Sequence, residues 1–138
     1  MRRTSPRRGM TLIEVMIVVS IVGILAGVAL PKAAAIQESI ALENGAQQLI
    51  REMNLAQIRA IKENRTVPFA FPSTTHYQIG ADQPRELPSK LHFGTTPAAI
   101  QFASFGPPLT GPATVRVESN TGKYRVIALT ANGYVNLQ

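Results

Sequence analysis

From Met10 to Leu30 the chain reads MTLIEVMIVVSIVGILAGVAL, an apolar run of 21 residues interrupted by one charge, Glu14. A bilayer core of about 30 Å takes roughly 20 apolar residues at 1.5 Å rise each, so this run predicts a membrane-spanning helix. Past Pro31 the period changes. Leu42, Ala46, Leu49, Met53, Ala56 and Ala60 recur at alternating spacings of four and three, which marks one face of an amphipathic helix reaching about Glu63. Ile50, Ile58 and Ile61 are expected to widen that face. Glu43, Arg51, Arg59, Lys62 and Glu63 lie opposite and read as a solvated face of mixed sign. Pro31 lacks an N–H and its ring crowds the preceding turn, while Gly23 and Gly27 add flexibility. Helix propensity is therefore lowest between Gly23 and Pro31.

The helix is expected to end at Asn64-Arg65-Thr66-Val67-Pro68, because Asn accepts a left-handed C-terminal position and proline follows closely. Beyond it the candidate strands are Val67–Phe71, His76–Ile79, Ile100–Phe102, Thr114–Ser119, Tyr124–Thr130 and Tyr134–Leu137. Asn120-Thr121-Gly122-Lys123 and Ala131-Asn132-Gly133 read as hairpin turns. Gly80–Pro97, rich in proline and polar residues, reads as a long loop. Val115, Val117, Val126, Ala128, Val135 and Leu137 give the alternation of a sheet with one buried face, expected to pack on the Leu42–Ala60 stripe. The fold class is α+β: a long N-terminal helix, its first half transmembrane, whose second half packs on a C-terminal antiparallel β-sheet domain. The expected segments are a leader at 1–9, a span at 10–30, an amphipathic helix at 31–64 and a β-rich domain at 65–138.

Charge adds a topology. Of the fourteen Lys and Arg residues, four (Arg2, Arg3, Arg7 and Arg8) precede the span with no acid among them; the remainder holds ten basic and eight acidic residues. The formal charge of +6 is thus concentrated before the helix, where basic residues stay cytoplasmic. The leader does not read as an ordinary secretory signal: no small-x-small cleavage site ends the run, which is also long for such a signal. With no cysteine, disulfides and thiolate metal sites are excluded. At 138 residues there is room for one domain beyond the span.

Catalytic chemistry finds no constellation. His76 and His92 lack metal-ligand spacing, Ser104-Phe105-Gly106 is no nucleophile elbow, and Gly106-Pro107-Pro108 is turn chemistry, not a phosphate loop. The carboxylates are scattered. No catalytic residue, metal site or cofactor is expected. Glu14 is different, because a carboxylate deep in a span costs several kcal/mol unless it finds a partner, which marks it as a functional residue.

The stretch Arg7-Arg8-Gly9-Met10-Thr11-Leu12-Ile13-Glu14-Val15 resembles the class III signal of type IV pilins and type II secretion pseudopilins. The resemblance implies cleavage after Gly9 by a membrane-embedded prepilin peptidase, which also methylates the new N-terminus on Met10. Met10 stands where the family usually has Phe, apolar for apolar. Glu14 takes the place of the family's acid at the fifth mature position. There it would pair with the α-amine of a neighbouring subunit, removing two unpaired charges from an apolar setting. Gly23 and Pro31 also match, and imply a helix able to bend or unwind on assembly. Gln57-Ile58-Arg59-Ala60-Ile61-Lys62-Glu63-Asn64, Ile100 to Gly106 and Tyr124 to Val135 resemble the corresponding stretches of GspH/FimT-type minor pseudopilins.

The implied function is a structural subunit of a type II secretion pseudopilus or type IV pilus. Its implied partners are the prepilin peptidase and N-methyltransferase, other pilin or pseudopilin subunits, an inner-membrane assembly platform, and membrane lipid before assembly. Its implied location is the bacterial inner membrane, single-pass with the C-terminal domain in the periplasm, and then the filament. Two alternatives stay open. One is a major pilin, which the lack of cysteine leans against. The other is a DNA-binding minor pilin of natural transformation, with Arg116, Lys123 and Arg125 near one hairpin and Tyr124 interleaved. An ordinary solvated hairpin edge is the preferred reading of those cations, since Glu118 lies among them.

Overall fold

The computed structural model describes residues 10–138, and only the backbone at 28–31. The chain divides into two compact units that meet between Gln37 and Glu38. One continuous helix, α1, runs from Leu12 to Lys62. In the first unit the apolar side chains are exposed, from Leu12 (79%) to Leu25 (64%). The most apolar stretch has a mean hydropathy of 2.6 and is long and apolar enough to cross a membrane. Ser20, its one hydroxyl between Met16 and Leu25, donates to Met16 O at 2.8 Å, so the helix itself satisfies that polar group. The helix runs through Pro31 without a break, although the missing N–H leaves the Gly27 carbonyl without its usual partner.

In the second unit the stripe of Leu42, Ala46, Leu49, Met53, Ala56 and Ala60 is buried throughout. Ile58 and Ile61, expected to widen it, are instead 60% and 52% exposed. They stand about 160° and 100° round the helix from the centre of the stripe, beyond what a layer of sheet can cover. The helix stops as its sequence dictates. Asn64 is left-handed (φ 50°), its N–H donates to Ile61 O at 3.2 Å, and Arg65 N–H reaches Ala60 O at 3.2 Å. Those two bonds are a Schellman closure.

Eight strands follow: β1 (Val67–Ala70), β2 (His76–Ile79), β3 (Arg85–Glu86), β4 (Leu91–Phe93), β5 (Ile100–Phe102), β6 (Ala113–Ser119), β7 (Tyr124–Leu129) and β8 (Val135–Leu137). They form two four-stranded sheets, ordered β3-β2-β1-β5 and β4-β6-β7-β8. Every pairing is antiparallel. The aromatic rings join the sheets: Phe71 lies 5.3 Å from Phe69 and meets Phe93 edge-on at 5.0 Å, and Tyr77 stacks on Phe69 at 5.7 Å.

Two further expectations are corrected. Gly80–Pro97 is not simply a loop, since β3 and β4 lie within it and Leu87, Leu91 and Phe93 are buried. Strands of two and three residues are too short to show a period against the surrounding prolines. The second correction concerns β7. Ile127 and Leu129 are buried, whereas Val126 and Ala128, expected to face inward, are only half-buried. The register pairs Val115 with Ile127 and Arg116 with Val126. Directly opposed residues share a face, so the turn fixes the phase of β7 and a one-residue shift inverts it.

Candidate functional site

At the start of α1, Thr11 is the N-cap. Glu14 N–H donates to Thr11 Oγ1 at 3.3 Å and to Thr11 O at 3.1 Å. Thr-x-x-Glu is the sequence of a capping box, and an acid in the first turn is favoured by the helix dipole. Glu14 stands in that first turn and is exposed. Met10 is exposed just before the cap. Gly9 lies outside the described residues. Gly23 and Gly27 have open space where a Cβ would stand. Pro31 is helical, and of its side chain nothing is described.

The second candidate region is the β6–β7 hairpin. Gly122 (φ 84°) closes its turn, with Gly122 N–H donating to Ser119 O at 2.9 Å and Ser119 N–H to Lys123 O at 2.8 Å. The turn grips α1. Thr121 Oγ1 donates to Glu38 Oε1 at 2.5 Å, Lys123 Nζ donates to Ser39 Oγ at 3.2 Å and lies 3.8 Å from Glu38, and Arg125 Nε donates to Glu43 at 3.3 Å. The hydrogen bond from Thr121, a second from Ser119 and the charge of Lys123 hold the Glu38 carboxyl below the usual carboxylate range. Thus Glu43, read as part of a solvated face, is tied to a strand. Arg59, read on the same face, is tied to the turn between β2 and β3, where its Nη1 donates to Asp82 at 2.8 Å. Arg85 likewise holds Glu52 with bonds of 2.8 and 2.7 Å.

The three hairpin cations are not brought together. Arg125 lies on the α1 side of the sheet, paired with Glu43. Arg116 is on the other face, bonded to Glu118 at 2.6 Å, with its guanidinium 4.0 Å from the centroid of the Tyr124 ring. Lys123 is in the turn beside Glu38. Each cation has a carboxylate. Period-two alternation along a strand signals the split of Arg116 from Arg125 once the register is known. Reading the sequence alone missed Thr11, whose Thr-x-x-Glu spacing signals the cap, and Thr121 and Glu38, whose pairing across 83 positions has no local signal.

Elsewhere, a cleft of about 310 Å³ is lined by Pro97, Ala98, Ile100, Thr110, Pro112 and Val115, among others, with no titratable side chain on its wall. His92 stands 3.7 Å from Glu118 and His76 bonds to Ser73 and Thr75. Among the described residues no three metal-ligating side chains converge.

Residues 4–30 match the prokaryotic N-terminal methylation motif. No curated protein sequence matches the chain. Two crystal structures of the type IV minor pilin FimU from Pseudomonas aeruginosa (strain PAO1) are similar in fold. One has a TM-score of 0.61 at 17% identity, covering 75% of this chain and 92% of that one. The other, in a second crystal form, has a TM-score of 0.58 at 16% identity, covering 70% and 92%. An N-terminal methylation motif thus opens a long apolar helix, and the α+β domain that follows it has a pilin-like fold.

Proposed function

We propose that this chain is the precursor of a minor pilin or pseudopilin, most like the GspH/FimT type. Its leader, residues 1–9, is removed after Gly9 by the prepilin peptidase, Met10 is N-methylated, and the subunit enters a type II secretion pseudopilus or a type IV pilus. The observation that carries this reading is the methylation motif on residues 4–30, joined to a helix whose apolar side chains are exposed from Leu12 to Leu25. Such a surface calls for lipid or for other apolar helices around it. Before assembly, lipid covers it, with the basic leader on the cytoplasmic side and the β domain in the periplasm. After assembly, neighbouring helices cover it, and Glu14 meets the α-amine of an adjacent subunit. Gly23 and Pro31 let the helix bend as it leaves the bilayer.

DNA capture has less support. Each of Arg116, Lys123 and Arg125 already faces a carboxylate, which lowers the positive field a phosphate backbone would meet. The deciding experiment is intact-mass analysis of membrane and sheared-filament fractions, with and without the peptidase. Loss of residues 1–9 plus one methyl, in the filament fraction and only with the peptidase, is the expected result. An uncut chain confined to the membrane overturns the proposal.

A further inference from the structure

The two sheets have four edges, and three are guarded. β3 is two charged residues, Arg85 and Glu86, with Pro84 and Pro88 close on either side. β5 is covered by the turn after it, where Leu109 N–H donates to Gln101 O at 2.7 Å and Pro108 bridges Phe102. On β4, Phe93 N–H is taken by Thr74 O at 2.7 Å. Charges, prolines and covering segments are the usual protection of a sheet edge. β8 has none. Tyr134-Val135-Asn136-Leu137-Gln138 carries neither charge nor proline.

The backbone of β8 points in a known direction. Thr130 N–H donates to Tyr134 O at 2.9 Å, and Gln138 N–H donates to Val126 O at 2.8 Å, while Asn136 opposes Ala128. In an antiparallel ladder such pairs alternate, so residues 134, 136 and 138 face β7, and the N–H and C=O groups of Val135 and Leu137 face outward. Among the described residues no hydrogen bond reaches those outward groups. Beneath them the core is unfinished, for Val135, Leu137 and Ile50 are only partly buried against it. This side of α1 borders the start of β8, because Gln57 lies against Gly133. Ile61 and Ile58, both exposed, lie within about 80° of Ile50 round the helix.

Unpaired N–H and C=O groups spaced as in a strand are met by an extended backbone, and an open apolar margin is met by alternate apolar side chains. A second copy pairing through the same edge does not fit. The two-fold axis of an antiparallel edge pair stands normal to the sheet and reverses an α1 packed flat on it, whereas subunits inserted through one membrane point the same way. We propose that β8 is a strand-addition edge that receives an extended, alternately apolar segment of another filament subunit. The proposal rests on the filament reading above.

Residue-resolved amide exchange of the full chain, in detergent and in sheared filaments, tests it. Val135 and Leu137 amides are expected to exchange fast in detergent and roughly 100-fold slower in filaments, while Asn136, bonded to β7, is slow in both. Equal rates for Val135 and Leu137 in the two states overturn the proposal. Val135→Pro deletes an outward donor at the first residue of an edge strand, where proline is tolerated. Asn136→Lys places a charge on an exposed edge position. Both are expected to be processed and to melt like the wild type, yet to enter filaments roughly tenfold less. Wild-type incorporation of both variants overturns the strand-addition edge alone. A wild-type chain that is never cut and never found in filaments overturns the edge and the filament reading together.

Discussion

Arg125 and Glu43 are joined across the helix–sheet boundary, Nε to Oε2 at 3.3 Å, so one of the hairpin cations is turned toward α1 although it stays 44% exposed. Arg116, on the opposite face of the sheet, is held by Glu118 and stacked on Tyr124. If the hairpin is no DNA site, the full chain binds duplex DNA weakly, with a log–log salt slope no steeper than about −1. Arg116→Ala and Arg125→Ala then leave that slope unchanged. A steep slope that each substitution reduces, measured by fluorescence anisotropy across salt, restores DNA capture.

Glu14 carries a second prediction. Glu14→Val is expected to leave membrane insertion and cleavage intact and to abolish incorporation into filaments, read by immunoblot of sheared fractions. Thr11→Val, which removes only the cap, costs about 1 kcal/mol of local helix stability and spares incorporation. Normal incorporation of Glu14→Val removes the pairing role.

Processing makes a third. Gly9→Leu is expected to block cleavage, and the uncut precursor then appears in the membrane fraction at its full mass. Complete cleavage of that variant takes Gly9 out of the peptidase site.

Burial makes a fourth. Leu49, with no exposed surface, is expected to cost about 2–5 kcal/mol when cut to alanine. Ile58→Ala, at a position 60% exposed, should change stability by no more than about 0.5 kcal/mol. Thermal melts of the two full-length variants in the same detergent compare them directly.

The last concerns pH. The Glu38 carboxyl is held below the usual carboxylate range, chiefly by the Thr121 hydroxyl. A folded value below the unfolded one gives stability that is fully present above the ordinary carboxylate range and is lost as pH falls through the folded value. Melting temperature is therefore expected to fall on the acid side, and Glu38→Gln to flatten that part of the curve. Identical acid limbs for the two chains remove Glu38 from the linkage.

What the sequence determined by itself was local. The long apolar helix, the buried stripe of α1, the Asn64 stop and both hairpin turns follow from composition, a period of 3.6, or turn chemistry. The tertiary structure decided what depends on partners distant in the chain. Val126-Ile127-Ala128-Leu129 is apolar at every position, so nothing in it says which residues face inward, and pairing with β6 chose Ile127 and Leu129. Leu91-His92-Phe93 became a strand because β6 lay beside it. Ile58 stayed exposed because it stands on the side of α1 away from the buried stripe. Glu38 found Thr121 only once the chain had folded back on α1. Local rules fix which elements form, while register and layer edges fix which of their faces are covered.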